Sequence, residues 1–170
     1  MTGMSPNLDR RIFLTGAAAA ALSACSPAIA ADSKGQARYA DSPFRKLSDA
    51  DWKKRLPPAS YRVLRHEDTE RPGTSALNKE KRRGTYVCAG CALPLFKSDW
   101  KFESGTGWPS FYNAIKENIG TKRDLILLMP RTEYHCGRCL GHQGHIFDDG
   151  PKPTGLRYCN NGVALKFVPA

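Results

Sequence analysis

Apolar and polar residues follow two regimes along the chain. In "LSDADWKKRLPPASYRVLRH", Ser48 and Asp51 have the spacing of a helix capping box, and a mixed apolar and charged run follows. That run predicts a short helix ending at Pro57-Pro58, with a further helical turn or two in "ASYRVLRH". "TERPGTSALNKEKRRG" is rich in turn formers and charge and reads as a loop. From Gly84 onward, short apolar runs are bounded by turn residues, the pattern of strands. "GTYVC" and "PLFKS" flank one cysteine pair, and "TEYHC" and "HIFDD" flank another. "DLILLMP" is a continuous apolar run and predicts a buried strand. "LRYCNNGVALKF" predicts a closing strand. Its period of two groups Cys159, Asn161, Val163, Leu165 and Phe167 on the apolar face, with Tyr158, Asn160, Gly162, Ala164 and Lys166 opposite. The class is mainly β with a small helical N-terminal region.

The N-terminal stretch has a different purpose. Arg10 and Arg11 precede an apolar segment, Ile12 to Ala24, of signal-peptide length. Twin arginines followed by Phe13 and Leu14 resemble a twin-arginine export signal. Residues 1–30 are therefore expected to be a signal peptide. Residues 31–46 are expected to be a polar linker, and 47–170 the working domain. Two cleavage readings stand side by side: a lipobox "LSAC" that would lipidate Cys25, and a small-residue site "AIA" at Ala28 to Ala30. Both lead to export across a bacterial inner membrane, soluble in the periplasm or anchored by lipid.

A chain of 170 residues suffices for one domain with a real core. Its formal net charge of +10 raises polyanions as partners. The run Lys79 to Arg83 and two metal-type knuckles would suit a zinc-ribbon nucleic-acid module. The export signal argues against that reading, because the envelope offers little nucleic acid.

The cysteines carry the chemistry. "CAGC" holds Cys88 and Cys91, and "CGRC" holds Cys136 and Cys139, each with a turn glycine. Two such knuckles supply the four thiolates of a closed tetrahedral Zn²⁺ site, a structural role with no position left for substrate. The competing readings are redox dithiols or a disulfide framework. Cys159 stands apart from these pairs. It is either a small buried hydrophobe or a nucleophile, and the neighbouring amide of Asn161 favours a polar pocket. His142, His145, Asp148 and Asp149 in "GHQGHIFDDGP" could exchange protons there. His142 also stands as an alternative zinc ligand. Trp108, in the glycine-bounded loop "SGTGWPSF", is either core or a wall of the pocket.

"CAGCALPLF", "FESGTGWPSF", "GHQGHIFDDGPKPTGLRYC" and "NGVALKF" resemble, in order and spacing, the signature blocks of the B-type methionine sulfoxide reductases. The similarity runs from about Leu47 to Phe167. It implies a fold of two antiparallel sheets, with zinc away from the active site. It also implies reduction of the R epimer of methionine sulfoxide, in proteins or free.

Carried over residue by residue, the resemblance makes Cys159 the nucleophile and gives His145, with His142 beside it, proton delivery. Asn161 and Asp149 organise the site, and Trp108 and Phe111 lie on the substrate side. A thioredoxin-like thiol partner regenerates the enzyme. Oxidised proteins are the expected substrates. A monomer is expected, with no nucleic acid bound and membrane contact only through lipidation. Three positions depart from the family pattern. Thr106 stands where many members carry a second, resolving cysteine. Asn160 replaces an apolar residue and is expected to face away from Cys159, and Gly73 stands where an aromatic often follows the proline.

Overall fold

The computed structural model describes Met1 and residues 33–125 and 130–170. The expected signal peptide, Cys25 and most of "DLILLMP" lie outside the described residues. Helix α1 spans Ser33–Arg38, α2 Asp49–Arg55 and α3 Pro58–His66. The Ser48–Asp51 capping box is formed in both directions, so α2 starts where the sequence places it. Pro58 opens α3, where the missing N–H costs nothing, and Glu67 closes it in the left-handed region.

The strands are β1 (Gly84–Cys88), β2 (Pro94–Lys97), β3 (Lys101–Phe102), β4 (Ser110–Phe111) and β5 (Ile119–Asp124), followed by β6 (Arg131–Cys136), β7 (His142–Phe147), β8 (Arg157–Asn160) and β9 (Leu165–Pro169). Among the described residues they form two antiparallel sheets, ordered β2-β1-β9 and β3-β4-β8-β7-β6-β5. The mainly β class and its two sheets are thus as expected.

An aromatic cluster joins the sheets. Phe96 from the small sheet stacks on Phe111 from the large one at 4.2 Å, and Tyr86 meets Phe111 edge-on. Tyr134 and Tyr158 complete the cluster through edge contacts. Such offset and edge geometries add to what the buried area itself contributes.

Two expectations change. The closing "LRYCNNGVALKF" is two strands in different sheets. A 3₁₀ turn at Gly162–Ala164 separates them. The break is fixed by Glu70, whose carboxylate accepts from the amides of Gly162 at 2.5 Å and Val163. It also needs a glycine, since a Cβ at residue 162 would lie 1.9 Å from Ser75 Oγ. The core face of β8 accordingly carries Tyr158 and Asn160, and Cys159 points away from it. Asn160 is fully buried there and accepts a 2.6 Å bond from Tyr134 Oη, so it does face away from Cys159.

The expected linker is, from Gln36 on, packed onto the domain. Tyr39 Oη donates to Asn118 at 2.7 Å, Gln36 meets His135 at 2.7 Å, and Arg45 bonds the Gly137 carbonyl. Polar composition suggests a free linker, but here the polar groups find partners on β6, in the β6–β7 knuckle and in the 3₁₀ turn before β5.

Candidate active site and metal centre

Cys159 sits mid-sheet with a defined neighbour on each side. Register pairs it with Ser110 of β4 and with His145 of β7. Directly opposed residues have Cβ atoms about 5 Å apart. Gly144 allows the close approach of β7 and β8, because a Cβ there would fall 1.9 Å from the Cys159 carbonyl oxygen. The thiol is half-buried on the floor of a cavity of about 110 Å³, walled by Thr69, Trp108, Arg131, His145 and Asn161. That volume lies far below the roughly 300 Å³ at which cofactor and drug pockets begin. It suits the end of one side chain.

Each wall has its own support. Trp108 is held by its indole N–H on the Glu70 carbonyl at 2.8 Å. Gly107, in the left-handed region, docks its loop on residues 72–78 through bonds from Gly73 N and Asn78 Nδ2. Gly73 has positive φ as well, and serves this backbone contact. Both ends of the Asn161 amide are engaged: Nδ2 donates to Gln143 O at 3.0 Å and Oδ1 accepts from Glu70 N at 2.8 Å.

The two histidines occupy different environments. Glu133 and His135 of β6 pair with His145 and His142 respectively, so a bulge between them absorbs one extra residue. That bulge puts His142 and His145, three apart, on one face with rings 5.6 Å apart. His142 is buried and its Nδ1 meets Glu133 Oε1 at 2.7 Å; His135 meets the other oxygen at 3.0 Å. Burial alone would raise the Glu133 pKa, but these two histidines outweigh it and hold the carboxyl down to about 2. His145 lies at the cavity, with Nε2 at 2.8 Å from Asp124 Oδ2, an atom that also accepts from Arg131 at 2.6 Å. Burial, aided by the Arg131 charge, lowers the His145 pKa against the opposing pull of Asp124.

Arg157 was not among the residues singled out by sequence, although it shares the Cys159 face two positions earlier. It forms a fork with Asp149 at 2.7 and 2.8 Å and lies 4.2 Å over the Phe147 ring. Burial raises the Cys159 pKa, and the Arg157 charge and hydrogen bonding from Thr106 and Arg157 oppose the rise. Asp149 thus acts on the thiol's surroundings through Arg157. Thr106 also joins Ser104 at 2.8 Å, and Ser104 joins Ser110 at 2.7 Å. Phe111, expected on the substrate side, is 0 % exposed and belongs to the aromatic core. Alternation along β4 turns its ring inward.

The four paired cysteines converge. Their sulfur atoms all lie within 4.8 Å of one another, with Cys88–Cys139 at 3.6 Å and Cys91–Cys136 at 3.4 Å. A disulfide needs about 2.05 Å, so these contacts are not disulfides. A tetrahedral Zn–S distance of about 2.3 Å implies sulfur separations of about 3.8 Å, which the cluster approaches. The two knuckles share one backbone pattern. In each, the residue after the second cysteine, Ala92 or Leu140, has positive φ and donates to the first cysteine's carbonyl. The first cysteine's amide donates to Leu93 or Gly141. The donor set fits zinc, and the ion would tie the β1–β2 connection to the β6–β7 connection, one from each sheet.

The SelR domain family matches residues 56–169. This chain belongs to the B-type methionine sulfoxide reductase family. Among curated relatives, a peptide methionine sulfoxide reductase MsrB of Leptospira interrogans is 55% identical over 121 residues, 71% of this chain and 92% of that protein. The MsrB proteins of Bradyrhizobium diazoefficiens and Agrobacterium fabrum are 51% and 49% identical, covering 72% and 75% of this chain and 88% and 96% of theirs. As a B-type reductase the chain is an oxidoreductase whose four-cysteine cluster matches the family's metal centre.

Proposed function

We propose that this chain reduces the R epimer of methionine sulfoxide with Cys159 as nucleophile. The observation that carries this reading is the register that sets Cys159 beside His145 under a cavity walled by Trp108. The substrate's methyl group packs on the Trp108 indole, and its sulfinyl sulfur reaches Cys159 Sγ. Sγ attacks that sulfur while the sulfoxide oxygen gains a proton, because an oxide dianion is not a viable leaving group.

Burial keeps both the Cys159 thiol and the His145 imidazole toward their neutral forms. His145 can therefore accept the thiol proton and return it to the oxygen. His142, fixed by Glu133, lines up behind it. The protonated oxygen then passes as hydroxide from the sulfinyl sulfur to Sγ. The transient Sγ–S bond breaks with its electron pair going to the methionine sulfur, and Cys159 sulfenic acid and methionine, reduced by two electrons, are left. An external thiol condenses with the sulfenic acid, forming a mixed disulfide and water. A second thiol releases Cys159. Thr106 in the loop supports this external route, since it cannot form an internal disulfide. A thioredoxin-like dithiol supplies both thiols in this reading.

Zinc, when bound, braces the knuckles and takes no part in the steps. The N-terminal sequence supports export, so the repair of oxidised proteins is assigned to the cell envelope, with the enzyme acting as a monomer. Incubation with separate R and S epimers tests the reading: turnover of R alone is expected, and turnover of S alone would overturn it. Cys25→Ser should leave turnover by the purified protein unchanged. A large loss with a dithiol reductant would make Cys25 a resolving thiol.

A further inference from the structure

Four carbonyls of the zinc knuckles are each met by an arginine. In the first knuckle, Arg55 Nε donates to Gly90 O at 3.4 Å and Arg138 Nη1 to Cys91 O at 3.2 Å. In the second, Arg45 Nη2 donates to Gly137 O at 2.6 Å and Arg65 Nη1 to Cys139 O at 3.0 Å. The carbonyls of Cys88 and Cys136 are already taken by the turn amides of Ala92 and Leu140. Three of the guanidinium groups are also backed by a ring: Arg55 by Phe44 at 5.2 Å, Arg65 by Trp52 at 5.0 Å and Arg138 by Tyr39 at 5.4 Å. The fourth, Arg45, is held by the Gln36 carbonyl at 2.7 Å. Each cation is therefore held from two sides.

A zinc ion with four thiolates carries about two net negative charges. Fixed cations around it are favourable, and a guanidinium on a carbonyl oxygen also polarises that knuckle peptide. Three of the four arginines come from the helical N-terminal region, in the turn before α2, in α2 and in α3. Arg45 and Arg55 precede the stretch matched by the SelR family.

We propose that Arg45, Arg55, Arg65 and Arg138 form a clamp that retains zinc in the knuckles, with the N-terminal helices as its frame. The clamp does not depend on the sulfoxide chemistry, and its test reads zinc and not turnover, so either proposal can fail alone.

The test uses the zinc-loaded full-length protein and follows zinc transfer to the chromogenic chelator 4-(2-pyridylazo)resorcinol. Arg55→Gln, Arg65→Gln and Arg138→Gln should each speed transfer, and the triple variant by roughly 10- to 100-fold, the range for lost outer-shell partners of a metal site. Lys53→Gln with Lys54→Gln removes two exposed charges from α2 without touching a knuckle, and should leave the rate unchanged. If the triple glutamine variant does not fold, as judged by circular dichroism, the triple lysine variant decides. It keeps the charges but loses the planar forks, and should release zinc several-fold faster than the unaltered protein. Transfer at the unaltered rate in these arginine variants would overturn the clamp. So would equal acceleration in the Lys53/Lys54 control, which would reduce the effect to net charge.

Discussion

The molecule holds sulfur in two settings. At the knuckles four cysteines are buried together, their backbone turns repeat each other, and arginines from three helical elements close the periphery. At Cys159 one thiol lies half-buried beneath an opening, with neighbours of four different kinds: an imidazole, a guanidinium, hydroxyls and an indole. The first arrangement would exhaust the reactivity of its sulfurs by directing them all at one ion. The second leaves the sulfur uncommitted and surrounds it with groups that can move or hold a proton. Cysteine reactivity here follows from partners and access, which is the general rule for thiols.

The comparison breaks hardest at the metal. Removing zinc, or substituting Cys136→Ser, should cost both fold and activity. Structural zinc contributes on the order of 10 kcal/mol in small domains, comparable to a whole domain's stability. A melting curve read with a zinc assay should show the transition lowered or absent. A zinc-free protein that melts like the loaded one would contradict the bracing role. Cys159→Ser should do the opposite: turnover of R-sulfoxide falls to background, while zinc content and melting temperature stay as they were. Wild-type-like turnover would remove Cys159 from the mechanism.

Between these extremes lies Glu133, which joins the two regions through β6 and β7. Its carboxyl is held at about 2 against an ordinary 4.5, so folding favours the charged form. Its stabilisation is complete above about pH 4.5 and is lost as pH falls toward 2. The shift corresponds to about 3 kcal/mol. Glu133→Gln should therefore be less stable by about that amount at pH 7, and the gap to the parent should close as the pH is lowered toward 2. Denaturant titrations at several pH values would check this; a gap independent of pH would mean that the histidine contacts do not account for it.

How much of this was legible depends on the distance over which each partner is chosen. The knuckles and the Ser48–Asp51 cap are written in spacings of three residues, so local geometry settles them. Asn161 beside a thiol pointed to a polar pocket because a buried amide must be satisfied, and it is. Glu70 had no local signal at all: it binds Asn161, Trp108 and Gly162 from far along the chain. The same carboxylate breaks "LRYCNNGVALKF" in two, which strand periodicity could not anticipate. The bulge at β7 likewise conceals that His142 and His145 share a face, since a regular strand would oppose them. The motif suggests the substrate side for Phe111, while its parity on β4 sends it into the core. Arg157 was readable in principle, two residues before Cys159 on the same face.

Arg157 gives a finer break within the Cys159 setting. Its charge and hydrogen bond oppose the rise that burial imposes on the thiol. Arg157→Gln removes both and also leaves the Asp149 carboxylate without its partner, and a negative charge nearby raises the thiol further. The pH at which iodoacetamide alkylates Cys159 should move up, and the rate at pH 8 should drop. An unchanged profile would make Arg157 purely structural.

Thr106 should show the smallest effect of the same sign. Its hydroxyl bonds toward Sγ but carries no charge, and its contribution to holding the thiol down follows that of the Arg157 charge. Thr106→Val keeps the branched shape and removes only the oxygen, so packing of the loop is preserved while Ser104 loses one partner. The alkylation midpoint should rise by less than in Arg157→Gln. Adding Thr106→Val to the Arg157 variant should raise it again, because Arg157 and the Thr106 hydroxyl oppose burial separately. A Thr106→Val shift as large as that of Arg157→Gln would mean that the hydroxyl chain from Ser104 to Ser110 governs the thiol's protonation. A shift downward would show that the hydroxyl accepts the thiol proton and stabilises the neutral form.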